Sequence, residues 1–488
     1  MYSLAFIGVT SFFLALLVTP PWRNLARRRG WMDQPDRTRH LHGHPIPRLG
    51  GVPIAVAYLG ALVLLLALPL AGSHIVATAL PLASRIFPAA ALVFVLGLAD
   101  DLRGLKPWQK LAGQVLAACL AFSGGVQVTA VAGFPVPAWL SLPLTLFWLV
   151  GCSNAFNLID GVDGLAAGAG LFATVTILMG ALLSGNVPLA LASVPLAGAL
   201  LGFLRYNFNP ASIFLGDSGS LTVGFLLGCY GVLWSQKSAT VLGMAAPLMA
   251  LAVPLLDTAV AIARRFLRGQ RIFEGDRGHM HHRLLDRGLT PRKVALLIYA
   301  ACGLAAVLSL LASVSRGSFK GVIIVLFCAV AWIGVQHLGY VEFGVAGRMF
   351  IDGAFRRHLN SQLALQDFEN SMAGARSYEE RWRAIREACL QLGFTHAEMR
   401  IGGLRFAESL LEANGNETWD IQIPLGDGGY LRLARCFGGE LTPTVLVPFA
   451  EAVHKHFCVD GRSTKPDRSP GQVEEASRRS MAVGAGGR

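Results

Sequence analysis

Apolar residues in this chain come in long unbroken runs, without the alternation or one-faced periodicity of elements that meet water. Eleven stretches, at roughly 3–19, 50–70, 84–99, 109–124, 138–155, 164–183, 187–204, 219–235, 241–262, 293–313 and 319–338, are close to the length of about 17–25 residues that crosses a bilayer as a helix. Charged residues cluster in the connections between them. The pattern predicts an all-α polytopic membrane domain over residues 1–340 with about eleven transmembrane helices. Residues 1–19 have no cationic start, and Pro20-Pro21 followed by Arg27, Arg28 and Arg29 makes no cleavage site, so the first stretch reads as an uncleaved span. Residues 126–137 are short, partly alternating and punctuated by Gly and Pro, which predicts a small β-hairpin on the outer face.

Beyond residue 341 the pattern changes. Trp382, Ile385, Cys389 and Leu392 fall at helical spacing within 378–392. Residues 419–424 and 430–436 alternate like two strands around a Gly-Asp-Gly-Gly turn, and 442–457 fit a closing helix. The expectation is a small soluble cytoplasmic α/β domain over 341–460. Residues 461–488, rich in Ser, Gly and charge, have the composition of a disordered tail.

Composition agrees with the membrane reading. Hydrophobic residues make up 53% of the 488 and charged ones 15%, against about 25% charged in soluble domains, and the mean hydropathy is +0.51. An ordinary cytosolic enzyme, a disulfide scaffold and a disordered chain are all excluded. Eight cysteines are scattered with no CxxC pair, so they read as buried, reduced thiols.

The net charge of +12 divides unevenly: the first 340 residues hold 24 basic and 11 acidic residues, the rest 18 and 19. With residue 1 outside, 20 of the cations flanking the spans fall on one side and only Arg85, Lys237, Arg316 and Lys320 on the other. This asymmetry predicts that the cation-rich side is cytoplasmic, together with the C-terminus, and it removes any need for nucleic acid as a partner.

All 11 acids of the first 340 residues fall on that same face, where ionisable groups beside hydrocarbon are functional candidates. Asp100 and Asp101 are adjacent at the end of a span in ADDLRGLKPWQKLAGQ, a crowding that raises one pKa or recruits a divalent cation. Asn154, Asn157, Asp160 and Asp163 recur at three-residue steps in NAFNLIDGVDGLAAG, where Gly161 and Gly164 predict a broken helix. Asp217 sits in the Gly-flanked turn of NFNPASIFLGDSGS. A fourth cluster, GDRGHMHHRLLDRG, sets His279, His281 and His282 in a basic connection. Zinc ligation, a solvated loop group and contact with a diphosphate or its metal are three readings of it. Mid-span Asp257 has Arg264 seven residues on as a helical-face partner. Together the clusters point to an anionic substrate held at the membrane face by a hard cation, and to phosphoryl transfer.

These motifs, with DQPDRTRHLHGHPIPRLGG and PLLDTAVAIARR, run in the same order as those of the polyprenyl-phosphate N-acetylhexosamine-1-phosphate transferases, which the chain resembles over residues 20–300. HMHHRLL is similar to the HxHH form of the WecA/TagO-type branch, whereas the phospho-MurNAc-pentapeptide translocases tend towards HHH. The resemblance implies a bacterial inner-membrane glycosyltransferase. Undecaprenyl phosphate would attack the β-phosphate of a UDP-N-acetylhexosamine, UDP-GlcNAc above others, releasing UMP and starting an envelope polysaccharide such as O-antigen or a teichoic acid linkage unit. It implies Mg²⁺, replaceable by Mn²⁺, with Asp217 as chief ligand and Asp101 next to it. Asp100 is then the candidate base, electrostatic group or, by a covalent route, nucleophile. Asn154, Asn157, Asp160 and Asp163 would hold the nucleotide-sugar, and Asn207 and Phe214 the uracil. Phe214 could instead anchor its loop in the core. Lys110, His279, His281 and His282 would meet the diphosphate, with Arg37 and His40 as further phosphate contacts.

Implied partners are the UDP-sugar, undecaprenyl phosphate and the bilayer. A second copy of the chain, and later glycosyltransferases docking on the C-terminal domain, are candidate protein partners. The helix-then-strands order of that domain resembles a truncated GAF-like fold. The rivals are a phospho-MurNAc-pentapeptide transferase, a secondary transporter and a scaffold. Acids gathered on one face, with no repeated half, weigh against transport.

Overall fold

The computed structural model of the chain describes residues 2–33, 45–68, 71–131, 134–237, 244–267, 278–315, 319–338, 340, 354–411, 418–425, 428–436 and 443–458. Arg37, His40 and the expected tail at 461–488 lie outside the described residues. The chain divides into two compact units, Met1–Phe343 and Gly344–Arg488.

Among the described residues of the first unit the apolar stretches fall on helices. The order is α1 (Tyr2–Arg29), a two-residue ladder of β1 (Met32–Asp33) with β2 (Ile46–Pro47), α2 (Gly51–Ala67), α3 (Ala71–Arg103) and α4 (Pro107–Ser123). The hairpin expected at 126–137 follows as β3 (Ala130–Val131) paired antiparallel with β4 (Phe134–Pro135). Then come α5 (Ala138–Ile159), α6 (Leu165–Leu183), α7 (Val187–Asn207), α8 (Gly216–Lys237), α9 (Ala245–Ala250), α10 (Ala252–Leu267), α11 (Met280–Asp286), α12 (Pro291–Val314) and α13 (Phe319–His337).

Among the described residues seven helices are long and apolar enough to cross a membrane: α1, α5, α6, α7, α8, α12 and α13. Other apolar stretches differ in form. Helices α2 and α4 have 17 residues each, and the stretch 241–262 is two helices parted at Leu251.

Helix α1 outlasts its apolar run by ten residues and passes through Pro20 and Pro21. A proline lacks the N–H that would bond four residues back. The carbonyl of Leu16, left over by Pro20, accepts the Tyr206 hydroxyl at 3.1 Å instead.

Close packing fixes α8 against its neighbours. Helix α8 lies against α3 and α5, and Gly97 of α3 faces its first turn so closely that a Cβ there would stand 2.5 Å from the Asp217 carbonyl oxygen. On the α5 side, Trp148 Nε1 donates to the Gly228 carbonyl at 2.9 Å and Ser153 Oγ to that of Leu221 at 2.9 Å.

The second unit holds α14 (Ala354–Gly374), α15 (Tyr378–Gln391), β5 (His396–Ile401), β6 (Leu404–Ser409), β7 (Thr418–Pro424), β8 (Tyr430–Cys436) and α16 (Pro443–Cys458). Its four strands form one antiparallel sheet in the order β6-β5-β8-β7. Helix α15 begins where Ser377 Oγ accepts the Glu380 N–H at 3.2 Å and the Glu380 carboxylate accepts the Arg376 N–H at 2.7 Å. Ile385, Cys389, Phe394, Met399, Leu433 and Phe449 are buried between helices and sheet.

The sequence reading located α15, β7, β8 and α16 and missed α14 and the β5–β6 hairpin. The Gly402-Gly403 pair, with φ of 55° and 80°, is the signal that marks that hairpin's turn.

Candidate active site

The site is built around the first turn of α8. Gly216 takes φ 72°, and a Cβ on it would meet the Asp101 carboxylate at 2.8 Å, so the chain enters the helix in a form that favours glycine. Asp101 stands one turn beyond Gly97 on α3. Its two oxygens accept the Asp217 N–H at 2.8 Å and the Ser218 N–H at 2.9 Å. A carboxylate from another helix thus satisfies two of the backbone donors that every helix start leaves over. Asp101, expected beside a metal, thus has a capping role as well.

Asp100 braces the turn between α3 and α4 by accepting the Leu105 N–H at 2.6 Å. That short turn returns α4 so that Lys110 Nζ lies 2.6 Å from Asp100 Oδ2 and 2.6 Å from Asp217 Oδ2. One cation therefore joins carboxylates 117 residues apart in sequence. The other Asp217 oxygen accepts from Asn157 Nδ2 at 2.9 Å, and the same nitrogen lies 3.0 Å from Ser220 Oγ. Asn154, one turn earlier on α5, pairs its amide with Gln114, Nδ2 to Oε1 at 2.7 Å. Gln114 was not singled out from sequence, although it follows Lys110 at i+4 and so shares its helical face.

Helix α5 ends at Ile159, and Asp160 and Asp163 lie in the turn before α6 rather than on a helical face. The surrounding protein, and then the charges of Asp217 and Asp101, push the Asp160 carboxyl well above the ordinary carboxylate range. Asp163 Oδ2 accepts Asn209 Nδ2 and the Ala211 N–H, each at 2.9 Å, and ties down the connection leading to α8. In that connection Asn207 is buried. Its Nδ2 donates to the Ile213 carbonyl at 3.0 Å, while its Oδ1 has no partner among the described residues. Phe214 is half-buried, and its backbone bonds Pro47 and Gly50.

The histidines ride on α11. Asp257 of α10 accepts His279 Nδ1 at 2.9 Å and the Met280 N–H at 2.7 Å. The sequence expectation of an Asp257–Arg264 pair is replaced by this buried grip on His279, which spacing could not reveal. His281 stacks on His279 with ring centroids 5.8 Å apart. Its ring faces Gly161, where a Cβ would come within 2.6 Å of Nε2. Burial, with His282 beside it, pushes the His281 pKa down to about 3, so this ring is neutral at pH 7.

The turn 160–164 thus joins the two parts, Asp160 towards Asp217 and Gly161 towards His281. Among the described residues no group of three or more His, Cys, Asp or Glu side chains is arranged to hold a metal by itself.

Comparison with known proteins places this arrangement. Residues 84–235, which carry every acid of the α8 cluster, match glycosyl transferase family 4. A protein of Bacillus subtilis (strain 168), named as a probable undecaprenyl-phosphate N-acetylglucosaminyl 1-phosphate transferase, is 36% identical over 299 residues, covering 60% of this chain and 80% of that one. The chain belongs to this family. A family member from Mycobacterium tuberculosis (strain CDC 1551 / Oshkosh), a decaprenyl-phosphate N-acetylglucosaminephosphotransferase, is 37% identical over 331 residues, or 62% and 81% of the two chains. A phospho-N-acetylmuramoyl-pentapeptide-transferase of Shouchella clausii (strain KSM-K16) is 27% identical over 305 residues, or 58% and 90%. The family is thereby that of the polyprenyl-phosphate N-acetylhexosamine-1-phosphate transferases, as the motif order implied.

Proposed function

We propose that the protein transfers GlcNAc-1-phosphate from UDP-GlcNAc to undecaprenyl phosphate at the cytoplasmic face of a bacterial inner membrane, with UMP as the second product. An oxygen of the lipid phosphate attacks the β-phosphorus of the nucleotide-sugar, the bond from that phosphorus to the bridging oxygen breaks, and UMP leaves with the bond's electrons. The observation that carries this reading is Lys110 Nζ held 2.6 Å from both Asp100 and Asp217, inside the family-matched region. Identity is higher to the two N-acetylglucosaminyl relatives than to the pentapeptide transferase, which favours GlcNAc as the sugar.

Lys110 is the cation at which the charge of the diphosphate collects. Asp100, already committed to Lys110 and the Leu105 N–H, positions that lysine instead of removing a proton, because a lipid phosphate is largely ionised near neutral pH. Asn157 holds Asp217 in place, and the unpartnered Oδ1 of Asn207 offers an acceptor to a nucleobase N–H. His279 and His282 extend the site towards the diphosphate, with Asp257 fixing the ring of His279.

The donor set suits Mg²⁺. Asp217, with Asp101 next to it, would supply hard carboxylate oxygens, and this ion commonly takes one or two carboxylates and completes its shell with substrate phosphates and water. When bound, Mg²⁺ supplies charge neutralisation at the phosphates.

An eleven-span topology with residue 1 outside supports the location. It puts 20 of 24 span-flanking cations, and every acid of the site, on one side.

The test uses membranes containing the full chain, undecaprenyl phosphate, MgCl₂ and UDP-GlcNAc labelled in the sugar. Labelled lipid and UMP formed in equal amounts, both absent in Asp217→Asn, are expected. Transfer from UDP-MurNAc-pentapeptide in place of UDP-GlcNAc would overturn the choice of sugar.

A further inference from the structure

Helix α11 is also gripped by the chain that leaves α13. Arg283 Nη1 donates to the Leu338 carbonyl at 3.2 Å, and the Arg283 guanidinium lies 3.9 Å from the centre of the Tyr340 ring. The Tyr340 hydroxyl reaches past α11 to the Gly278 carbonyl at 3.3 Å, and Arg287 Nη2 donates to the His337 carbonyl at 2.8 Å. These contacts bracket the histidines, one before His279 and the others after His282. Tyr340 is 5% exposed, so its ring and the guanidinium meet with little water between them, the setting in which a cation–π contact is strongest.

We propose that Tyr340, acting through Arg283 and Gly278, is a positioning residue for the histidine-bearing helix, so that the segment leaving the last membrane helix fixes the geometry of the diphosphate site. Helix α11 has seven residues, too few to hold its own conformation without tertiary support. Arg283 and Arg287 are anchored on the carbonyls of Leu338 and His337 and on the Tyr340 ring. The link from helix position to nucleotide-sugar affinity rests on the functional reading above; the grip itself does not.

The experiment compares the full-length wild type with Tyr340→Ala and Tyr340→Phe in membranes, at matched protein amounts. Tyr340→Ala is expected to raise KM for UDP-GlcNAc about tenfold and Tyr340→Phe, which keeps the ring, about threefold, both with KM for undecaprenyl phosphate within about twofold of wild type. Hydrogen exchange read in parallel should show the amides of residues 278–287 losing protection in both variants while the rest of the membrane unit keeps it. Wild-type KM and wild-type protection at 278–287 in Tyr340→Ala would overturn the proposal. If Tyr340→Ala exchanges uniformly, and so has not folded, Tyr340→Phe decides: local loss of protection supports the grip and its absence overturns it. A wild type that makes no labelled lipid overturns the functional reading alone, because exchange reports the grip without turnover.

Discussion

The carboxylate of Asp101, on α3, accepts the backbone N–H of Asp217, on α8, at 2.8 Å. The acid expected next to the metal also holds the backbone that carries Asp217. Replacing Asp101 with Asn leaves one acceptor and turns an amide NH₂ towards an N–H. Loss of a helix cap costs about 1–2 kcal/mol, so thermal unfolding should begin at lower temperature and kcat/KM should fall about tenfold to thirtyfold. The midpoint of the Mg²⁺ titration should stay within about threefold of wild type, whereas removal of a direct ligand would move it by far more.

Gly216→Ala tests the same relationship from the other side. The new methyl would press on the Asp101 carboxylate from a backbone at φ 72°, and an alanine forced into that region costs about 1 kcal/mol before any collision. Its melting temperature should drop at least as far as that of Asp101→Asn.

Asp257→Asn should raise KM for the nucleotide-sugar about tenfold with a smaller effect on kcat. The asparagine can still accept the Met280 N–H, but its NH₂ would face His279 Nδ1 and force the ring into its other tautomer. Nitrogen-15 chemical shifts of the labelled histidine report that change directly.

Acid sensitivity follows from His281. Its pKa is near 3 in the folded protein and about 6.5 in an unfolded chain. Below about 6.5 the unfolded state takes up a proton that the folded state refuses, so stability falls as the pH drops, by about 1.4 kcal/mol per unit until the folded ring titrates. Between pH 6.5 and 5 this removes about 2 kcal/mol. Thermal melts of His281→Gln across that range should lose this component of the slope.

Shortening the chain separates the roles of the second unit and the segment before it. A chain ending at residue 353 keeps His337, Leu338 and Tyr340 and should hold KM for UDP-GlcNAc within about threefold of wild type. One ending at 336 loses all three and should match or exceed the tenfold rise expected of Tyr340→Ala.

The helices were legible because a run of apolar residues near the length of a bilayer has few other ways to satisfy its backbone. The acids of the site were legible because a carboxylate at the mouth of such a run is costly unless used. What each acid touches was not. Asp101 and Ser218 are 117 positions apart, and Asp257 and His279 are 22 apart on separate helices. Such pairs depend on how helices pack, which periodicity does not encode. The extension of α1 through Pro20 and Pro21 was hidden for a similar reason, since it relies on Tyr206 from α7 reaching Leu16.

Gly161 lies against the His281 ring with no room for even one more carbon atom. The distance between the acidic turn and the histidine helix is thus set at a residue with no chemistry of its own. Alanine there would act as a wedge between the acidic turn and the histidine helix while leaving every reactive group in the sequence. The spacing of the site's two parts is then adjustable from a position that no inventory of functional groups would include.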